Sequence, residues 1–409
     1  MLQQIKLAFR NLNRNRRRSI LSALAISIGL ALLILIAAVI RGEMQGAIDK
    51  SINLISGDVQ IRSANYVDSK SSLKWADMIA DPQKIISTIE AVPQIKELIA
   101  DATPRLLASA IVSSGNNSVG VQLLGIDPAA KANDPFVKGL IAGTFISAED
   151  ANGVVISQLI ADKLKLKVGD SIKLLVNTSN GDVVQQDFAI RGLYSTHTPS
   201  YDESTILMPL AKAQTITSTQ DHSSIIFFLL KNRDQSDVFA AAIKGAGYQV
   251  KTWKDMNQLL LDTEALSNSF MIIIYLIVLI ITATVIVNTL IMSVFERTRE
   301  IGILSALGWK SRDIMSLFMT EATIMAIGGI LFGIILGRLI CLYFEKIGIG
   351  FGNFGVKNGL LLGDSLYAAY SGGDVVYLTI IAFIVTMLAS LYPAFLAAHL
   401  EPVDALHGK

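Results

Sequence analysis

Four apolar runs frame one long polar segment. Residues 19–40 are 22 positions without a charge, and as a helix they would span about 33 Å, enough for the ~30 Å hydrocarbon core of a bilayer. Residues 270–295 form a second uncharged run, 314–344 a third that is interrupted by Glu321 and Arg338, and 375–398 a fourth. The pattern predicts an α-helical membrane protein with four transmembrane helices at those positions and a large mixed α/β domain at 41–269. An N-terminal segment (1–18), a short loop (296–313), a Gly-rich loop (345–374) and a tail (399–409) complete the chain.

Within 41–269 the periodicity changes from element to element. Asp81-Pro82 reads as an N-cap followed by proline at the first helical position, with Ile85, Ile86 and Ile89 on one face. The continuous apolar run 225–230 predicts a strand buried on both faces; a helix over 236–244 and a strand over 248–253 follow, with Gly245 and Gly247 between them. GVVIS at 153–157 predicts a strand leading into a helix capped by Ser157, with Ile160 and Leu164 inward and Gly169-Asp170 ending it. Strands at 171–176 and 183–190 flank Ser-Asn-Gly-Asp, and Asn180-Gly181 predicts a tight two-residue hairpin turn. The expectation is an α/β part made from both ends of the segment, with a β-rich insertion at about 140–215.

Charge orients the chain. Lys6, Arg10, Arg14, Arg16, Arg17 and Arg18 precede the first run with no acidic residue among them, and such clusters stay on the cytoplasmic side. The segment 41–269 carries a net −4 and the remainder +5. The expected topology has both termini and the loop 296–313 inside and the large domain outside. The first run exceeds the ~7–15 residues of a signal-peptide core, so it reads as an uncleaved anchor. A chain-wide net charge of +1 gives no basis for a nucleic-acid partner. One cysteine and four histidines supply neither a disulfide framework nor a metal centre, and no spacing points to a catalytic residue.

Inside the runs, Gly329, Gly333 and Gly337 share one face at four-residue spacing, which lets another backbone approach closely. Thr282, Thr284 and Asn288 are expected to bond between helices, and Glu321 and Arg338 to snorkel toward the ends of the third span. Glu296-Arg-Thr-Arg-Glu300 is expected to continue the second span. Its i,i+3 charge pairs are followed by an apolar stripe of Ile301, Leu304 and Leu307, Gly308 ends the helix, and Ser311 caps the next one with Asp313 in its first turn.

These residues resemble a known family. ERTREIGILSALGWKSRDI (296–314) is similar to the coupling-helix motif of FtsX-like permeases, and LYPAFLAAHLEPVDALHGK (391–409) to their closing signature. GVVISQLIADKLKLKVGDSIKLLV (153–176) resembles the periplasmic domain of MacB and of the LolC/LolE lipoprotein-releasing permeases, and ISGDVQIRSANY (55–66) the lipoprotein-releasing branch. The resemblance covers nearly the whole chain and implies a type VII ABC transporter permease of the bacterial inner membrane. Such permeases pair with a second copy or paralogue and turn ATP hydrolysis by LolD- or MacB-type subunits into periplasmic work. The chain has no G-x-x-x-x-G-K-[ST] loop to cradle phosphates, so ATP and Mg are expected on the partner ATPase and no cofactor or metal on this chain.

By that resemblance Glu296, Arg297, Arg299, Glu300, Ile301, Gly302, Leu304, Leu307 and Gly308 dock into the ATPase. A lipid cavity lies among Ile36, Ile40, Met44, Ile48, Phe270, Met271 and Ile274. The function implied is release of lipoproteins from the inner membrane to a periplasmic carrier, with membrane lipids as surroundings. A MacB-like export permease and an FtsX-like regulator of a cell-wall hydrolase are the alternatives. LolC carries a protruding hook in the β-rich part; here only the short 177–185 hairpin stands in its place, and the loop 194–203 is a different candidate contact surface.

Overall fold

The computed structural model describes residues 2–14, 16–67, 73–115, 117–245, 247–350 and 365–399. The chain divides into two compact units: one of residues 1–44, 263–349 and 366–409, and one of residues 45–262 with 350–365.

Among the described residues, four helices are long and apolar enough to cross a membrane. Ser19–Ser56, Gln258–Glu296, Ser311–Ile347 and Gly372–Ala398 each meet that criterion. They are longer than their uncharged runs. The first is a continuous α-helix, Arg16–Ser51, that runs past residue 40 and widens into a π-turn, Ile52–Ser56. Backbone hydrogen bonds do not stop where the apolar run stops, so the helix outlasts the span.

The glycine seam faces the first span. A Cβ on Gly329 would lie 2.8 Å from the Ala23 carbonyl oxygen, and one on Gly333 2.9 Å from that of Ser27. At Gly337 the nearest atoms belong to Ile34, at 3.1 Å. Ile26, Leu30, Leu33 and Ile34 are buried there with Ile330, Cys341 and Leu378. Arg41 and Asp374 pair at 2.6 Å. The expected interhelical bonds are not made among the described residues: Thr282 and Thr284 donate to the carbonyls of Val278 and Ile280 in their own helix, and Asn288 is exposed. A threonine hydroxyl reaches its i−4 carbonyl without any partner helix.

Residues 2–14, expected only as a segment, form a helix, Leu2–Arg14. Ala8 is fully buried and Leu12 packs against the transmembrane core.

Among the described residues the external unit has ten strands longer than two residues: β1 (Val59–Ser63), β2 (Ile99–Ser114), β3 (Asn117–Ile126), β4 (Leu140–Gly143), β5 (Gly153–Ser157), β6 (Ser171–Asn177), β7 (Val183–Tyr194), β8 (Thr205–Pro209), β9 (Ile225–Leu230) and β10 (Tyr248–Thr252). The order β10-β1-β9-β2 is an antiparallel sheet at one end. β1 lies between β9 and β10, so the expected strand–helix–strand unit is a split one, its helix Ser236–Ala242 burying Phe239.

The other end closes on itself. β2-β3-β8-β5-β7-β6 pair in that order and β6 returns to β2 at Val176 opposite Ala110, a six-stranded barrel. Its interior follows the period of two: Leu106, Ala108, Ala110 and Val112 on β2, Ile172, Leu174 and Val176 on β6, Phe188 and Ile190 on β7. The β-rich part therefore recruits residues 106–126 from outside the expected 140–215, because a strand as long as β2 serves both sheets.

Local expectations fare unevenly. Ser157 caps the helix Gln158–Leu164, its hydroxyl accepting from the Ile160 amide at 3.1 Å. That helix ends with Lys165 in the left-handed region, ahead of Gly169. Asp81 makes no side-chain cap; it is itself left-handed, φ 47°, and Pro82 starts the helix. The hairpin loop is 178–182, since Asn177 pairs with Val183. Only Gly181 has positive φ there, and its amide donates to the Thr178 carbonyl at 3.1 Å, so the two-residue turn is replaced by a five-residue one.

The loop 194–203 is organised around a buried carboxylate, with His197 exposed. Asp202 is buried, accepting from the Thr196 amide at 3.0 Å, the Thr196 hydroxyl at 2.7 Å and the Ser195 hydroxyl at 3.1 Å. Burial outweighs those bonds and holds its carboxyl above the usual aspartate value.

Candidate functional site

The loop between the second and third spans is organised by a buried ion pair. The second helix ends at Glu296, Arg297 leaves the helical region (φ −113°, ψ 17°), and a separate helix, Thr298–Ala306, begins. The expected unbroken continuation is therefore a break, and Arg297 is what the break turns inward. Its Nη1 donates to Glu321 Oε1 at 2.9 Å and its Nε to Glu300 Oε2 at 3.2 Å. Asn11 Nδ2 donates to the same Glu321 oxygen at 2.7 Å, and Arg14 Nη2 to Glu300 Oε1 at 2.5 Å.

Glu321 is 3% exposed and Arg297 6%. Glu321 does not snorkel. It sits one helical face inside the third span because two donors reach it there. Arg338, the other charge of that span, is half-exposed, pairs with Glu345 at 2.7 Å and stacks over Tyr370. Burial works against the Glu300 charge, but the hydrogen bonds from Arg14 and Arg297 together outweigh it and hold its carboxyl below the usual value.

The short helix has two faces. Ile301 and Gly302 are buried, Ile301 against Val294, Ile314, Phe318 and Ala394. Leu304 is half-buried, whereas Arg299, Ile303 (46%) and Leu307 (75%) are exposed. The predicted stripe of Ile301, Leu304 and Leu307 is split, since each 3-residue step falls about 60° short of a full turn of a 3.6-residue helix and two steps accumulate about 120°. Gly308 adopts φ 93° and stops the helix as expected. The next helix starts at Ser311 itself with Lys310 in the cap position, and Asp313 accepts from the Lys310 amide at 3.1 Å. Glu296 is exposed at the end of the second span.

The residues assigned to a lipid cavity fall into groups. Met271 is buried in the transmembrane core, and Ile36, Ile40 and Ile274 pack against that cluster. Phe270, 59% exposed, points out of it; Met44 and Ile48 are half-exposed on later turns of the first helix. Sequence reasoning missed Asn11, Arg14 and Ile303. The recurrence of Leu2, Ile5, Ala8 and Leu12 every three or four residues was the available signal for the N-terminal helix that places the first two.

Two family models divide the chain at the long polar segment. One for the MacB-like periplasmic core domain matches residues 19–246, and one for the FtsX-like permease C-terminal matches 272–402. The chain belongs to the FtsX-like permeases with a MacB-like periplasmic core. It is a multi-pass type VII ABC transporter permease, a subunit without catalysis of its own, and membership implies a partner ATPase.

The lipoprotein-releasing system transmembrane protein LolE of Haemophilus influenzae is 26% identical over 94% of this chain and 93% of its own length. The macrolide export ATP-binding/permease protein MacB of Bdellovibrio bacteriovorus is 24% identical over 99% of this chain, which spans 62% of that protein. The crystal structure of the periplasmic region of MacB from Actinobacillus actinomycetemcomitans superposes with a TM-score of 0.36 at 13% identity, over 52% of this chain and 97% of that one.

Proposed function

We propose that this permease belongs to a lipoprotein-releasing transporter in which a separate ATPase drives the short helix Thr298–Ala306. The observation that carries the coupling is the two-faced packing of that helix. Ile301 and the Arg297–Glu321 pair fix it to the second, third and fourth spans, while Arg299, Ile303 and Leu307 stay exposed for a partner. A push on a helix seated this way reaches the span ends without first unfolding a loop. ATP and Mg bind on the partner. The six cations of residues 6–18 support a cytoplasmic side for the termini and this helix.

The substrate reading is supported by the similarity to LolE, which runs over most of both chains. The acyl chains would enter beside Ile36, Ile40, Phe270 and Ile274, an apolar surface of the kind they need. Native mass spectrometry of the complex, gently purified with its ATPase, tests the reading. A bound triacylated lipoprotein that leaves on addition of ATP supports it. A complex that instead holds a periplasmic adaptor or a cell-wall hydrolase, and no lipoprotein, overturns the substrate and leaves the coupling in place.

A further inference from the structure

The N-terminal helix Leu2–Arg14 is held at the depth of a bilayer boundary. Its Asn11 reaches Glu321 at 2.7 Å, and Glu321 lies seven residues inside the apolar run that opens at Ile314. At 1.5 Å per residue that is about 10 Å along the third span from the start of its run. Amphipathic helices that lie on membranes sit about 5–10 Å into the boundary between headgroups and acyl chains. The helix of the first span begins at Arg16, two residues after Arg14.

Three sectors follow one another around this helix at about 100° per residue. Ala8, Asn11 and Leu12 face the transmembrane unit: Ala8 is fully buried, Asn11 holds Glu321, and Leu12 packs against the transmembrane core. Phe9 comes next and is exposed. Lys6, Asn13 and Arg10 lie about 40–100° further round and are exposed too. Arg17 is exposed at the start of the next helix, and the exposed Ile20 and Leu21 open the apolar surface of the first span. Arg14 is engaged by Glu300 and lies outside this face.

An aromatic ring beside two cations suits a membrane boundary better than bulk water. At this depth the ring gains by entering the acyl layer, and the long stems of lysine and arginine carry their charges outward to the phosphates. Residues 1–18 carry six cations and no acid. That charge matches a headgroup with a net negative charge and is indifferent to a zwitterionic one.

We propose that this face binds the headgroups of anionic phospholipids: Lys6, Arg10 and Arg17 hold the phosphates and Phe9 enters the acyl layer beneath them. Guanidinium groups fit phosphate oxygens with two parallel hydrogen bonds. The lipid then secures the outer side of a helix whose inner side grips Glu321 and, through Arg14, Glu300. Anionic lipid therefore stabilises the seat of the short helix Thr298–Ala306, to which Glu300 belongs.

The test uses the full-length permease in nanodiscs of equimolar phosphatidylcholine and phosphatidylglycerol, with the lipids it retains on extraction read by native mass spectrometry. Wild type should retain phosphatidylglycerol over phosphatidylcholine by about tenfold or more. The triple variant Lys6→Gln, Arg10→Gln, Arg17→Gln should fall toward equal retention. Arg312→Gln with Lys346→Gln, which neutralises exposed cations off this helix, should keep the wild-type preference. The preference is a ratio read within each variant, so a change in stability does not alter it. In thermal unfolding, phosphatidylglycerol should raise the Tm of wild type by more than that of the triple variant. Equal retention of the two lipids by wild type, or a preference that the triple variant keeps, overturns the site. A preference lost equally in the Arg312 and Lys346 variant reduces it to total charge and overturns it as well. Loss of the ATPase from the triple variant with the lipid preference intact assigns the face to a protein partner instead.

Discussion

Arg297 and Glu321 meet at 2.9 Å although 24 residues separate them, and both side chains are buried. The pair ties the break after the second span to the third span, and through the shared Asn11 contact to the N-terminal helix. Removing one member leaves the other charged and buried, which costs about 3–5 kcal/mol, whereas replacing both with apolar groups is often near neutral. Glu321→Ala is therefore expected to lower unfolding stability in mixed micelles, by less than that amount because Arg297 still faces Glu300 at 3.2 Å. Arg297→Met combined with Glu321→Leu should recover most of the loss. Equal losses in the single and double variants would show that the ions contribute attraction beyond compensating each other's burial.

The glycine seam predicts a graded response. An added methyl at Gly333 meets the Ser27 carbonyl oxygen at 2.9 Å and its Cα at 3.1 Å, both main-chain atoms that cannot rotate away. At Gly337 it meets the Ile34 side chain at 3.1–3.2 Å and the Ala31 Cα at 3.3 Å, which leaves more room for a small adjustment. Gly333→Ala should lower thermal stability by the ~1–3 kcal/mol typical of overpacking, and Gly337→Ala by less. Unfolding of the two variants side by side checks the order; a reversed order would mean the seam does not pack as described.

Much of this architecture was legible because it is local. An uncharged run of 22 residues announces a span, the apolar GVVIS at 153–157 announces a buried strand, and Ser157 three residues before Ile160 announces its cap. What escaped depends on partners distant in sequence. Barrel closure requires Val176 to find Ala110, and the inward turn of Glu321 requires Asn11, 310 residues away. Asn180-Gly181 misled for a related reason. Thr178 closes the turn with its carbonyl and its hydroxyl, so the register of β6 and β7 selects a longer loop than the dipeptide alone favours.

Asp202 predicts an unusual pH trend. Its folded-state pKa is raised above the unfolded value by burial, so between those two values the folded chain binds the extra proton. Its contribution to stability is full below the unfolded pKa, near 3.8, and is lost as the pH rises through the folded value. The Tm difference between wild type and Asp202→Asn should therefore move in favour of wild type as the pH falls from 7 toward 4. A difference that stays constant over that range would show that the carboxyl is not destabilised by burial.

The short helix Thr298–Ala306 offers the sharpest separation of coupling from folding. Ile301 is 3% exposed and packs among Val294, Ile314 and Phe318, so a charge there has no water to reach. Ile303 and Leu307 lie on the outer side, four residues apart and one helical turn from each other, with Arg299 a turn earlier. Ile303→Asp and Leu307→Asp should keep the thermal stability of the purified permease while weakening co-purification of the ATPase by about tenfold or more. That loss corresponds to at least ~1.4 kcal/mol of interface energy. Ile301→Asp should instead unfold the permease whether or not the ATPase is present. Because Leu304 is half-buried, its Asp variant should show both defects at once, so only the Ile303 and Leu307 variants isolate docking. If both retain the ATPase at wild-type affinity, the partner does not read this face and the coupling assignment fails, while the Arg297–Glu321 anchor stands on its own geometry.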